Sequence, residues 1–127
     1  HHLDHALFAE ALHGPRIRGV AYAVVPQKLG AELVDQLLVG RHARWPPAVG
    51  DGVVDQFRAL IEDAARAAGF AILNLDVRAT QEVAIGLYET MGFQRWGTHP
   101  AYARVDGKVM QGHYYFKRLG GRGKAKL

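Results

Sequence analysis

Residues 53–77 constrain the fold more than any other part of the chain. Val53, Val54, Phe57, Leu60, Ile61, Ala64 and Ala68 recur at three- and four-residue spacing, which puts them on one face of an α-helix of about five turns. Gly69 stops that pattern, and residues 70–77 (FAILNLDV) follow as a nearly continuous apolar run, the signature of a strand buried on both faces. A helix that feeds straight into such a strand has to pack on the sheet containing it. Ala84, Leu87, Tyr88 and Met91 then mark a second helix, with Gly92 as its C-cap.

The flanks extend this into a mixed sheet. Residues 7–12 are apolar and end at the turn signal HGPR, and residues 17–25 (IRGVAYAVV) are β-branched and aromatic. Together they predict a hairpin around Gly14–Pro15, with a helical turn as the alternative for residues 7–12. Residues 32–39 (ELVDQLLV) read as a third strand, with Leu33, Asp35, Leu37 and Val39 on one face. Residues 40–52 are a loop with Pro46–Pro47. Residues 93–98 and 110–119 predict two last strands around a turn at Asp106–Gly107. The expected order is β-β-β-α-β-α-β-β, an α/β (α+β) mixed sheet with helices packed on it. With 127 residues there is room for one domain, expected over residues 1–119, and a flexible basic tail over 120–127.

Composition removes several classes of chemistry. The chain has no Cys and no Ser, which excludes disulfide scaffolds, thiolate metal sites and Ser or Cys nucleophiles. Of the net charge of +4, Lys117, Arg118, Arg122, Lys124 and Lys126 supply five positive charges near the C-terminus, leaving 11 basic and 12 acidic residues elsewhere. The body is therefore near neutral, and neither a nucleic-acid partner nor a membrane partner is expected. No apolar run approaches the ~20 residues of a membrane-spanning helix. The seven His residues show no metal-ligand spacing, so no metal is expected. With no signal peptide in sight, a cytoplasmic location is expected.

The whole order, with A84-I-G-L-Y-E-T-M-G-F93, residues 37–39 (LLV) and the Gly50 loop opening a helix, resembles the GNAT N-acetyltransferase family over about residues 7–119. The ending H99-P-A-Y-A with D106-G and Y114-Y-F-K-R-L looks like the members that modify small molecules such as antibiotics and toxins. The resemblance implies acetyl-CoA as co-substrate and direct transfer of acetyl to a primary amine of a small molecule. It implies a pantetheine arm paired with Leu37, Leu38 and Val39, and a pyrophosphate held by Ala48, Val49, Gly50, Asp51, Gly52 and Val53, with Arg44 nearby and Gln81 beside the arm. Tyr88 takes the family's general-acid position and Asp35 that of a base, with Glu32 as second choice. His99 and Tyr102 would line the acceptor pocket.

Two departures stand out. Trp45-Pro46-Pro47-Ala48 occupies the stretch where the family carries a cation and glycines, and each proline lacks an N–H donor. The chain also begins almost at the hairpin, without the family's first strand and two helices. A partner chain supplying the missing wall is one way to complete the site, so a homodimer is expected. The competing reading is a non-catalytic member of the same fold, acting in binding or assembly with a degenerate CoA site.

Overall fold

The computed structural model describes residues 10–38 and 52–120. Strand β1 (Arg16–Ile17) and strand β2 (Val20–Val25) form an antiparallel hairpin. Helix α1 (Gln27–Leu38) follows. Helix α2 starts as Val53–Arg58, passes through a π-helical stretch Ala59–Asp63 and ends as Ala64–Ala67. Strand β3 (Ile72–Arg78), helix α3 (Glu82–Thr90), strand β4 (Gln94–Val105) and strand β5 (Lys108–Arg118) complete the order. The sheet runs β1-β2-β3-β5-β4, with β2 and β3 parallel and the other pairs antiparallel.

The mixed α/β architecture agrees with the sequence expectation, while three elements differ from it. Residues 32–38 are helical, not a third strand, and the parallel neighbour of β3 is Val20–Val25. The reason lies in Leu29, Leu33 and Val34, which are buried at helical spacing, while the adjacent Glu32 and Asp35 are exposed. A short apolar run fits both periods, and Pro26 just before the helix supplies the carbonyl that accepts the Gly30 N–H at 3.0 Å. The hairpin turn is at Arg18–Gly19, inside the expected strand 17–25. Both residues have positive φ (54° and 80°), as a two-residue type I′ turn requires. Pro15 and His13 instead lie along β2, accepting the N–H groups of Tyr22 and Val24. Residues 10–11 are helical, which is the alternative reading of that stretch and not the strand.

Strand β3 is buried on one face more than the other. Leu73, Leu75 and Val77 are at most 3% exposed and pack with Leu33, Phe57, Ile61, Leu87, Tyr88 and Tyr115. Asn74, Asp76 and Arg78 on the opposite face are half-buried. All three helices contribute to the single core cluster, so they cover the Leu73 face. Within it, Glu62 of the π-helical stretch is 1% exposed and meets Lys117 Nζ at 2.7 Å, with Arg66 at 3.5 Å. A buried carboxylate needs such partners, and the π-turn brings Glu62 round to β5.

The Asp106–Gly107 turn forms as expected, with φ of 51° and 78°. It joins strands longer than those foreseen. The register between β4 and β5 slips twice, at Trp96 and between His99 and Ala103, where residues 100–102 oppose Gln111 alone. This second bulge re-aims Tyr102, with consequences for the site.

Candidate active site

Tyr88 is held from three directions. Its helix ends in a Schellman motif: Phe93 N–H bonds to the Tyr88 carbonyl at 3.1 Å and Gly92 N–H to that of Glu89 at 3.1 Å, with Gly92 at φ 98°. The Phe93 ring then rests 5.8 Å from the Tyr88 ring, and Phe57 of α2 meets it edge-on at 5.7 Å. The next residue, Glu89, accepts the Tyr115 hydroxyl at 2.6 Å and pairs with Arg95, pinning α3 to β5 and β4. Thus the Tyr-x-x-x-Gly-Phe pattern has a local cause: it stops the helix and locks the phenol ring.

The Tyr88 hydroxyl lies against α1. A Cβ built on Gly30 would stand 2.7 Å from it, so only glycine permits this approach. The side chain is 3% exposed, and burial first, then the nearby Asp76 carboxylate, pushes its pKa far above the ordinary tyrosine range. The phenol is therefore held protonated. It donates no hydrogen bond to a described residue.

The hydroxyl borders a gap in the sheet. The last β2–β3 pair is Val25 with Leu75, after which the chain turns away into α1. Asp76, Val77 and Arg78 continue along β5 as far as Gly112, but on their other side no described strand pairs with them. The carboxyl end of two parallel strands whose paths diverge is where open α/β sheets take ligands.

Asp76 marks the far side of this gap. Tyr102 donates its hydroxyl to Asp76 Oδ2 across the whole width of β5, lying flat over Gly112. A Cβ at Gly112 would come within 2.1 Å of the Tyr102 ring. Desolvation and the Asp76 hydrogen bond raise the Tyr102 phenol well above its usual range. The Tyr102 ring meets Tyr114 edge-on at 6.1 Å, and Trp96 lies 5.5 Å from Tyr114.

The residues expected from the sequence divide among several places. Tyr88 and Gln81, the N-cap of α3, flank the end of β3. Tyr102 reaches the same strand end through Asp76. Glu32 and Asp35 are exposed on α1, about 200° and 140° round the helix from Gly30, so the base candidates and the Tyr88 hydroxyl are not brought together. His99 is exposed in the β4 bulge, and its Nδ1 accepts the Ala101 N–H at 2.9 Å. Leu37 and Leu38 are in helix, whose backbone offers no strand edge to an added chain. Gly52, at φ 78°, is the N-cap of α2 with no side-chain cap, followed by Val53. Val39, Arg44, Ala48, Val49, Gly50 and Asp51 lie outside the described residues. Asp76 was missed by sequence reasoning; its signal was an acidic residue in an otherwise apolar strand, in alternation with Asn74 and Arg78. Among the described residues no three His, Asp or Glu side chains converge as a metal site, and no helix is long and apolar enough to cross a membrane.

No family model and no curated protein matches the sequence. Solved structures do match. A candidate acetyltransferase from Salmonella typhimurium, solved with its cofactor acetyl-CoA, aligns over 65% of this chain and 47% of its own, at 17% identity and TM-score 0.51. A candidate acetyltransferase of the GNAT family from Chromobacterium violaceum aligns over 59% of this chain and 38% of its own, at 16% identity and TM-score 0.50. The chain thus spans less than half the length of either protein. The likeness is one of fold: the mixed sheet here is similar to that of these acetyltransferases.

Proposed function

We propose that the chain is an N-acetyltransferase that moves the acetyl group of acetyl-CoA directly to a primary amine of a small molecule, with Tyr88 as general acid. The observation that carries this reading is the Tyr88 hydroxyl itself, buried, protonated and bordering the gap beyond Val25 in an acetyltransferase fold. Acetyl-CoA supplies an activated thioester. The free edge of β3 at Asp76, Val77 and Arg78 offers amides and carbonyls that fit a pantetheine arm laid down as an added strand. The uncapped amides after Gly52 at the start of α2 fit a pyrophosphate, assisted by Ala48, Val49, Gly50, Asp51 and Arg44 from the adjoining loop. Tyr88 gives its phenolic proton to the departing sulfur. With neither Cys nor Ser in the chain, the neutral amine attacks the thioester carbonyl without an acyl-enzyme; the C–S bond breaks, and the proton shed by the new amide nitrogen passes through water to the Tyr88 phenolate. The working unit on this reading is a homodimer, in keeping with a 12-residue exposed edge strand at β4.

One observation favours the non-catalytic alternative: Gly30 of α1 closes directly over the Tyr88 hydroxyl. Calorimetry with acetyl-CoA, followed by an assay of thiol release in the presence of butylamine, separates the two. Binding with amine-dependent thiol release supports the enzyme. Binding without release, or no binding at all, favours the alternative, whose CoA site is degenerate.

A further inference from the structure

The face of the sheet opposite the helices carries a chain of side chains of which only Tyr102 has been given a role, as a wall of the acceptor pocket. Trp96, Tyr114 and Tyr102 are ring neighbours in that order, and Tyr102 ends on Asp76. Trp96 is 63% exposed, which leaves its ring open to a ligand. Asp76 is half-buried, yet among the described residues it forms no ion pair, and the one hydrogen bond to it comes from Tyr102 Oη at Oδ2. Arg78, two residues along the same face, forms no ion pair with it either. The second carboxylate oxygen is thus left without a described partner at the end of a row of aromatic rings.

Two devices hold this arrangement. The three-against-one bulge at residues 100–102 turns Tyr102 inward from β4. Gly112 leaves bare backbone for its ring to cross. Without either, the phenol would not span β5 to reach β3.

We infer that Asp76, with the rings of Tyr102, Tyr114 and Trp96, is a recognition site for an alkylammonium group. A carboxylate satisfies the charge and the N–H donors of an ammonium, and the electron-rich ring faces attract the cation and its alkyl stem. Tyr102 orients the carboxylate by holding Oδ2, which leaves Oδ1 for the ligand. Asp76 is also the first residue of β3 past the end of β2, so an ammonium bound there lies on the open side of the gap that Tyr88 borders from the helix side. The inference rests on the acetyltransferase reading in one respect only: on that reading the bound alkylammonium is the acceptor in its resting form, and it gives one proton to water before its nitrogen attacks.

The test uses the full chain, isotope-labelled, titrated with butylammonium chloride and separately with butanol, and followed by NMR. Butylammonium is expected to shift the Trp96 indole N–H and the Gly112 and Tyr114 amides saturably, and butanol to leave them in place. Asp76→Asn should weaken the binding about tenfold or more. Trp96→Ala, at an exposed position where folding is not at issue, should weaken it about threefold. Equal binding of butanol, or unchanged affinity in both variants, overturns the inference. Failure here and failure of the enzyme reading are separable. Ammonium binding without acetyl-CoA binding leaves this site standing and removes the transferase. Acetylation of butylamine with KM unchanged by Asp76→Asn keeps the transferase and removes this site.

Discussion

Replacing Gly30 with alanine should change sign of effect depending on residue 88. In the interior of a helix the substitution is normally favourable by about 1 kcal/mol. Here the new methyl would stand 2.7 Å from the Tyr88 hydroxyl, on a ring braced by Phe57 at 5.7 Å and Phe93 at 5.8 Å. Overpacking of a braced core site costs about 1–3 kcal/mol, so Gly30→Ala should destabilise the wild-type protein by up to about 2 kcal/mol. In a Tyr88→Phe background the offending oxygen is gone. The nearest remaining atoms are Val25 Cγ1 at 3.8 Å and the ring Cζ at 4.0 Å, both ordinary contacts. There Gly30→Ala should stabilise by about 1 kcal/mol. Urea denaturation of the four proteins, followed by far-UV circular dichroism, gives the coupling directly, expected to equal the overpacking cost of about 1–3 kcal/mol. A Gly30→Ala protein more stable than wild type, or a cycle without coupling, would refute the packing of α1 on the Tyr88 hydroxyl.

Glu62→Ala should cost about 3 kcal/mol, because it strips the buried partner from Lys117 and Arg66; thermal or urea unfolding measures it. Gly112→Ala should cost about 1–3 kcal/mol and lift Tyr102 off β5, visible as a shift of the Tyr102 ring resonances. The phenols of Tyr88, Tyr102 and Tyr115 are all raised in the folded state, chiefly by burial. Above their ordinary value of 10.0 the unfolded chain loses those protons first, so stability should fall as pH rises past 10, read from unfolding midpoints at stepped pH. His113 shifts the other way: burial, then Arg95, lowers it below 6.5, so its contribution is lost as pH falls through that range.

Where local chemistry decides a structure, the sequence was readable. The period of Val54, Phe57, Ile61 and Ala64, the Gly69 and Gly92 stops, and the Asp106–Gly107 turn each act within a few residues. Residues 32–38 were not, because Leu33 and Leu37 share a face in a strand and in a helix alike; Leu29 and Val34 settle the matter only once the core they enter is known. The Arg18–Gly19 turn was hidden inside a β-rich run, since arginine at positive φ is uncommon. The resemblance brought out Tyr88 and Tyr102 but led to Asp35, whose place in a strand was not realised. Asp76 becomes conspicuous only through Tyr102, 26 residues away, and a bulge that no local pattern announces.

The most direct test of the central claim is steady-state acetylation of butylamine by wild type and by Tyr88→Phe, with acetyl-CoA affinity measured in parallel. The phenylalanine variant keeps the ring packing against Phe57 and Phe93 and removes only the hydroxyl. Unchanged acetyl-CoA affinity with kcat lower by about 10²-fold or more is the predicted result for a lost general acid. Equal kcat in the two proteins would contradict the role given to Tyr88, and no turnover by either would contradict the transferase itself.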